Sequence, residues 1–143
     1  MISIKLLLII IACFEYGMML EFAKDYYMPC WKWGVCKADD AIYAKIRSCY
    51  ASVPEKERIE ITKKASETGV FEYPSDLDEF GVKFCKQEKD LQNRIAVELG
   101  RIGIDKYSEF CANPSTVDDC ARYEKVMRCL NDNLDELHAE EFC

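Results

Sequence analysis

Nine cysteines in 143 residues constrain this chain more than any other feature. Cys13 lies inside an unbroken apolar run, Leu6 to Phe14, that follows Lys5. Such a run is too short to cross a bilayer, which takes about 20 residues. It fits the core of a secretory signal peptide. Residues 1–17 are therefore expected to be a leader, cut near Glu15 to Gly17, and residues 18–143 a single domain. Loss of the leader removes Cys13 and leaves an even set: Cys30, Cys36, Cys49, Cys85, Cys111, Cys120, Cys129 and Cys143. Leader and even set point to the same oxidising, extracellular address. Four disulfides are expected, with the pairing open. Each restricts the unfolded chain, and one at Cys143 would pin a segment that otherwise frays.

Zinc is the rival use of cysteines, and it favours pairs two to four residues apart. The closest pair here is Cys30 and Cys36, and no CxxC occurs. No metal site is therefore expected. Half of the residues are apolar and 31% are charged, enough for a packed core and against wholesale disorder.

The apolar periodicity is helical throughout. Ala41, Ile42, Lys45, Ile46 and Cys49 share one face of a helix over 38–50. Ser52 and Pro54 read as the cap and first turn of a charged surface helix that stops at Gly69, with Ile59, Thr62 and Ala65 or Ser66 inward. After an extended connector at 71–74, a box of Ser75 and Asp78 opens a helix carrying Leu77, Phe80 and Phe84. Leu91, Ile95, Leu99 and Ile102 form the clearest stripe, and Gly100 and Gly103 bracket its expected end. Asp105 to Cys111 would then be a separate short turn. Thr116 caps a last helix whose stripe is Val126 or Met127, Leu130, Leu134 and Leu137. Cys120 and Cys129 point opposite ways on that helix, so they bond to different neighbours and clamp it on two sides. Near the leader, residues 21–27 read as a short helix or as the extended start of the mature chain, ended by Pro29. The expected fold is an all-α, disulfide-stapled domain of five to six helices.

Chemistry is mainly excluded. His138 is the sole histidine, so any Ser-His-Asp or Cys-His system would need it, and it sits in an acidic tail. The pairs Asp39/Asp40, Asp76/Asp78, Asp118/Asp119 and Glu140/Glu141 fall at apparent helix starts or in that tail, where capping and solvation explain them. No phosphate loop, dinucleotide fingerprint or calcium loop occurs. A net charge of -7 argues against nucleic acid or an anionic bilayer as partner. The expectation is a secreted protein with no enzymatic activity, no cofactor and no membrane span.

Two binding readings fit these features. The first is a carrier of a small hydrophobic ligand, lined by Phe80, Phe84, Leu91, Ile95, Leu99, Phe110, Met127, Leu130 and Leu134. The bland explanation is that these residues simply form the core. The spacing Cys111-x8-Cys120-x8-Cys129, following Cys49 and Cys85, resembles the later cysteines of arthropod odorant-binding proteins. That resemblance implies six helices around a cavity for small hydrophobic molecules. Lys89 stands where that family has the second member of its closely spaced cysteine pair, and Cys30, Cys36 and Cys143 are additional.

The second reading is a secreted effector or venom component that binds an extracellular protein. Its surface would be the aromatic segment bounded by Cys30 and Cys36, with Tyr26, Tyr27, Trp31 and Trp33 as the contact residues.

Overall fold

The computed structural model describes residues 24–143. The expected leader, residues 18–23 and Cys13 lie outside the described residues. Six α-helices follow in order: α1 (Tyr27–Cys36), α2 (Asp40–Cys49), α3 (Glu55–Ser66), α4 (Leu77–Cys85), α5 (Lys89–Cys111) and α6 (Val117–Ala139). Short 3₁₀ turns at Tyr50–Ser52 and Pro114–Thr116 lead into α3 and α6. The fold is an all-α domain stapled by disulfides.

Helix α6 is the spine, with α1, α2 and α5 packed along it. Helix α4 packs on α1 and α5, and α3 packs chiefly on α5. One apolar cluster joins Ala65, Tyr73, Phe80, Phe84, Ile95 and Ile102. A second joins Tyr27, Cys30, Ile46, Leu134 and Leu137. Trp31 packs against both and links them. Helices α1 and α2 approach closely at Gly34, where an added Cβ would lie 2.2 Å from Ile46 Cδ1. Ile46 is buried, so a larger residue at Gly34 would force the end of its side chain to shift.

The four bridges are Cys30–Cys143, Cys36–Cys85, Cys49–Cys129 and Cys111–Cys120. Cys120 and Cys129 bond to different helices, as the spacing predicts. Bridges thus tie α1 to the end of the sequence, α1 to α4, α2 to α6 and α5 to α6. Helix α3 carries no cysteine.

Several expected boundaries move, each for a local reason. Pro29 does not end a helix: it sits in the first turn of α1, where its missing N–H would have had no helical partner. The segment Cys30 to Cys36 is therefore helical. Ser52 closes the 3₁₀ turn, and Pro54 holds the cap position of α3, its carbonyl accepting from the N–H groups of Glu57 and Arg58. Ile59 faces out at 48% exposure, while Ile61 and Ala65 turn inward. Asp76, not Ser75, caps α4, its Oδ1 accepting from Glu79 N at 2.8 Å.

Helix α5 runs straight through Gly100 and Gly103 to Cys111, absorbing the expected separate turn. Both glycines adopt ordinary helical angles, and their helix penalty of about 1 kcal/mol each is offset by burial of the stripe Leu91, Ile95, Leu99 and Ile102. The Thr116 hydroxyl donates backwards to Phe110 O at 2.7 Å and makes no cap bond to α6. Gly69 has φ +71 and turns the chain out of α3, as expected of a glycine stop.

Candidate functional site

Two regions, one at each end of α6, bring distant side chains together. The first is a clamp formed by α1 and the last residues. Tyr26, Cys30 and Trp33 follow at helical spacing, so they lie on one side of the chain entering and forming α1. Each meets a different C-terminal residue. The Tyr26 ring stacks on His138 at 3.8 Å. Cys30 bonds to Cys143. Trp33 stacks on Phe142 at 4.9 Å with planes 23° apart.

The chain reaches these partners by a sharp reversal after α6. Phe142 N donates to Leu137 O and Glu141 N donates to His138 O, both at 3.1 Å. That is the double bond pattern of a Schellman cap, with Glu141 in the left-handed region at φ 61. The Tyr26 hydroxyl donates to Asp135 Oδ1 at 2.7 Å, and Lys24 Nζ donates to both oxygens of Asp135. Burial opposes the Asp135 charge, yet the bonds from Lys24 and Tyr26 outweigh it and hold the carboxyl below its usual range. The same carboxylate raises Lys24.

The four aromatics of the expected contact surface divide. Tyr27 is buried in the second cluster. Trp31 is half-buried against Phe84 at 5.2 Å and Phe80 at 6.4 Å. Tyr26 is half-buried on His138. Trp33 is half-buried against the second cluster, and Phe142, which the sequence reading did not select, is 43% exposed beside it. The missed signal was the single aromatic next to the last cysteine.

The nine expected lining residues also divide. Phe80, Phe84, Leu91, Ile95 and Leu99 gather in the first cluster. Leu130 and Leu134 belong to the second. Phe110 packs on Tyr123 at 5.3 Å, and Met127 is half-buried on α6. The best-formed depression lies elsewhere and holds about 30 Å³. Ile42, Ile46 and Leu137 form its floor; Lys45, Asn133, Glu136 and Glu140 form its rim. That volume accommodates one or two waters, whereas ligand pockets are typically about 300–1,000 Å³.

The second region is a polar seam where α3 meets α5 and α6. Arg122 Nη2 donates to Glu57 Oε2 at 2.7 Å, and Arg122 Nη1 donates to Asp119 Oδ1 at 2.6 Å. Lys106, only 9% exposed, pairs with Glu109 at 3.2 Å and Glu60 at 3.5 Å. Burial alone would lower Lys106, but the two carboxylates raise it.

Arg58 Nε, Arg122 Nε and the Tyr73 hydroxyl are buried without a hydrogen-bond partner, as is the Tyr27 hydroxyl at the clamp, while the Tyr123 hydroxyl faces Glu57. Burial, then the charge of Glu98, pushes Tyr73 up to about 12. Burial, then Glu57, raises Tyr123. The sequence reading missed this seam, although α3 had a thin apolar stripe and no cysteine.

Potential metal donors converge twice among the described residues, at Cys30, His138 and Cys143 and at Cys111, Cys120 and Glu124. The cysteines of both groups are bridged, which leaves no thiolate to ligate. Asp39 and Asp76 cap helices, and Asp118 and Asp119 lie in the first turn of α6. No described helix is long and apolar enough to cross a membrane. No protein-family profile, curated protein or solved structure matches the chain.

Proposed function

We propose that this is a secreted, non-enzymatic binding domain that engages an extracellular protein through the Trp33–Phe142 pair. The observation that carries this reading is the stacking of two partly exposed rings directly beside a bridge between Cys30 and Cys143. Large aromatics dominate binding hot spots, and rings already fixed before binding lose less freedom on docking. Four disulfides suit an extracellular address.

The test is binding of labelled protein to intact target cells, comparing wild type with a W33A/F142A variant whose disulfides are verified by mass. Loss of affinity by about tenfold or more is expected for a hot-spot pair. Equal binding would remove the pair from the interface.

A further inference from the structure

Charge is distributed unevenly around the stacked rings of Trp33 and Phe142. After Arg128 the chain has no lysine or arginine, but it has Asp132, Asp135, Glu136, Glu140 and Glu141. Two of these are neutralised from other elements: Lys24 pairs with Asp135 at 2.8 Å and Lys45 with Glu136 at 3.1 Å. Glu140 and Glu141 are exposed, and neither side chain has an ion pair or hydrogen bond among the described residues. Both lie in the reversal that ends on Phe142, at the partly negative C-terminal end of α6. On the other side of the rings, Trp33 O accepts from Lys37 N at 2.8 Å and Ala38 N at 3.1 Å in the turn to α2. Asp39 and Asp40 follow, both exposed, and Lys37 is the one cation of that turn.

Apolar surface continues between these carboxylates. The depression floored by Ile42, Ile46 and Leu137 has Glu140 on its rim. Gly34, next to Trp33, backs onto Ile46 and Leu137, and Trp33 and Ile42 pack on the same cluster. The depression holds about 30 Å³, room for no more than the tip of an aliphatic side chain. Trp33 covers one face of the Phe142 ring, which stays 43% exposed. Ring faces attract cations, and flanking carboxylates add to that attraction. A neutral or acidic partner on these rings would desolvate Glu140 and Glu141 with no opposite charge to meet them. A basic partner supplies that charge.

We infer that the partner docks a basic segment here, with an arginine or lysine over the exposed side of Phe142 and beside Glu140 and Glu141, and an aliphatic neighbour at the depression. This rests on the protein-binding reading of the same ring pair and names the partner's chemistry. Arginine suits the site better than lysine, because a planar guanidinium stacks on a ring while donating to carboxylates.

The experiment selects a phage-displayed random peptide library on the immobilised, oxidised protein. Enriched peptides should carry arginine or lysine beside an aliphatic residue. Synthetic copies, followed by fluorescence anisotropy, should bind about tenfold more weakly to W33A/F142A and to E140K/E141K. The E140K/E141K loss should shrink in about 0.5 M salt. E67K/E72K reverses the same number of charges at the end of α3 and in the connector after it, and should leave affinity unchanged. Circular dichroism and intact mass check that each variant keeps its helices and four bridges; E140Q/E141Q, with a smaller loss, carries the same sign if the reversal fails to fold. Peptides that need Trp33 and Phe142 but are neutral or acidic, or are indifferent to E140K/E141K, overturn the basic partner and leave the docking pair standing. Peptides indifferent to W33A/F142A, or no enrichment at all, overturn both.

Discussion

The two ends of α6 are secured by different physics. Its C-terminal half is gripped by α1 and α2 through Cys30–Cys143, Cys49–Cys129 and the cluster of Tyr27, Ile46, Leu134 and Leu137. Its N-terminal half meets α3 through the Arg122–Glu57 pair and atoms that lack partners. Covalent closure and apolar burial coincide at the clamp, so its aromatic surface is fixed before any partner arrives. At the seam no disulfide reaches α3, and its charge pairs lose part of their worth to desolvation. The contrast separates an aromatic face fixed by a disulfide from a helix held without one.

The largest break in this contrast comes from removing the clamp. A C30A/C143A variant frees a loop of 113 residues and should lose about 5 kcal/mol, read as a lower denaturation midpoint. Amide exchange in α3 should accelerate less than exchange in α1. Next, a Y73F variant deletes an unpartnered buried hydroxyl and should gain about 1 kcal/mol, with slower exchange in α3. A loss of stability there would show that the hydroxyl is satisfied in solution.

Glu141→Gly relieves a left-handed residue in the reversal after α6 and should raise stability by about 1 kcal/mol, seen in thermal melts. The smallest effect is acid dependence at the clamp. Asp135 titrates lower when folded than when unfolded, so its contribution is complete above the unfolded carboxylate range. It is lost as pH falls through the folded value, below about pH 4. Asp135→Asn should therefore flatten the stability profile below that pH and leave it unchanged in shape near neutrality.

Much of the fold could be read from spacing. Ile46, Cys49, Phe80, Phe84, Ile95, Ile102, Leu134 and Leu137 fall inward where helical periodicity places them. Local rules misplaced the joints because competing partners were invisible. Thr116 bonds back to Phe110 instead of capping α6, and Asp76 captures Glu79 N one residue from the expected box. Gly100 and Gly103 looked like an ending because propensity is summed without knowing which face is buried; the buried stripe of Ile95, Leu99 and Ile102 carries α5 onward.

Site residues were harder to read than helices. The clamp depends on a pairing between Cys30 and Cys143 that spacing leaves open, and only that pairing brings Trp33 to Phe142. The seam depends on Glu57 and Arg122, which are 65 positions apart and sit among many other charges. Nothing local distinguishes them. Periodicity identified the apolar residues of the expected carrier wall, but their division between two clusters is a property of helix packing.

Native-state hydrogen exchange of the oxidised protein, resolved by mass spectrometry, tests the central contrast most directly. Amides of 57–66 should exchange by an opening that leaves 126–137 protected, with a smaller free energy than global unfolding. Equal protection in α3 and the C-terminal half of α6, lost together in a single transition, would contradict it.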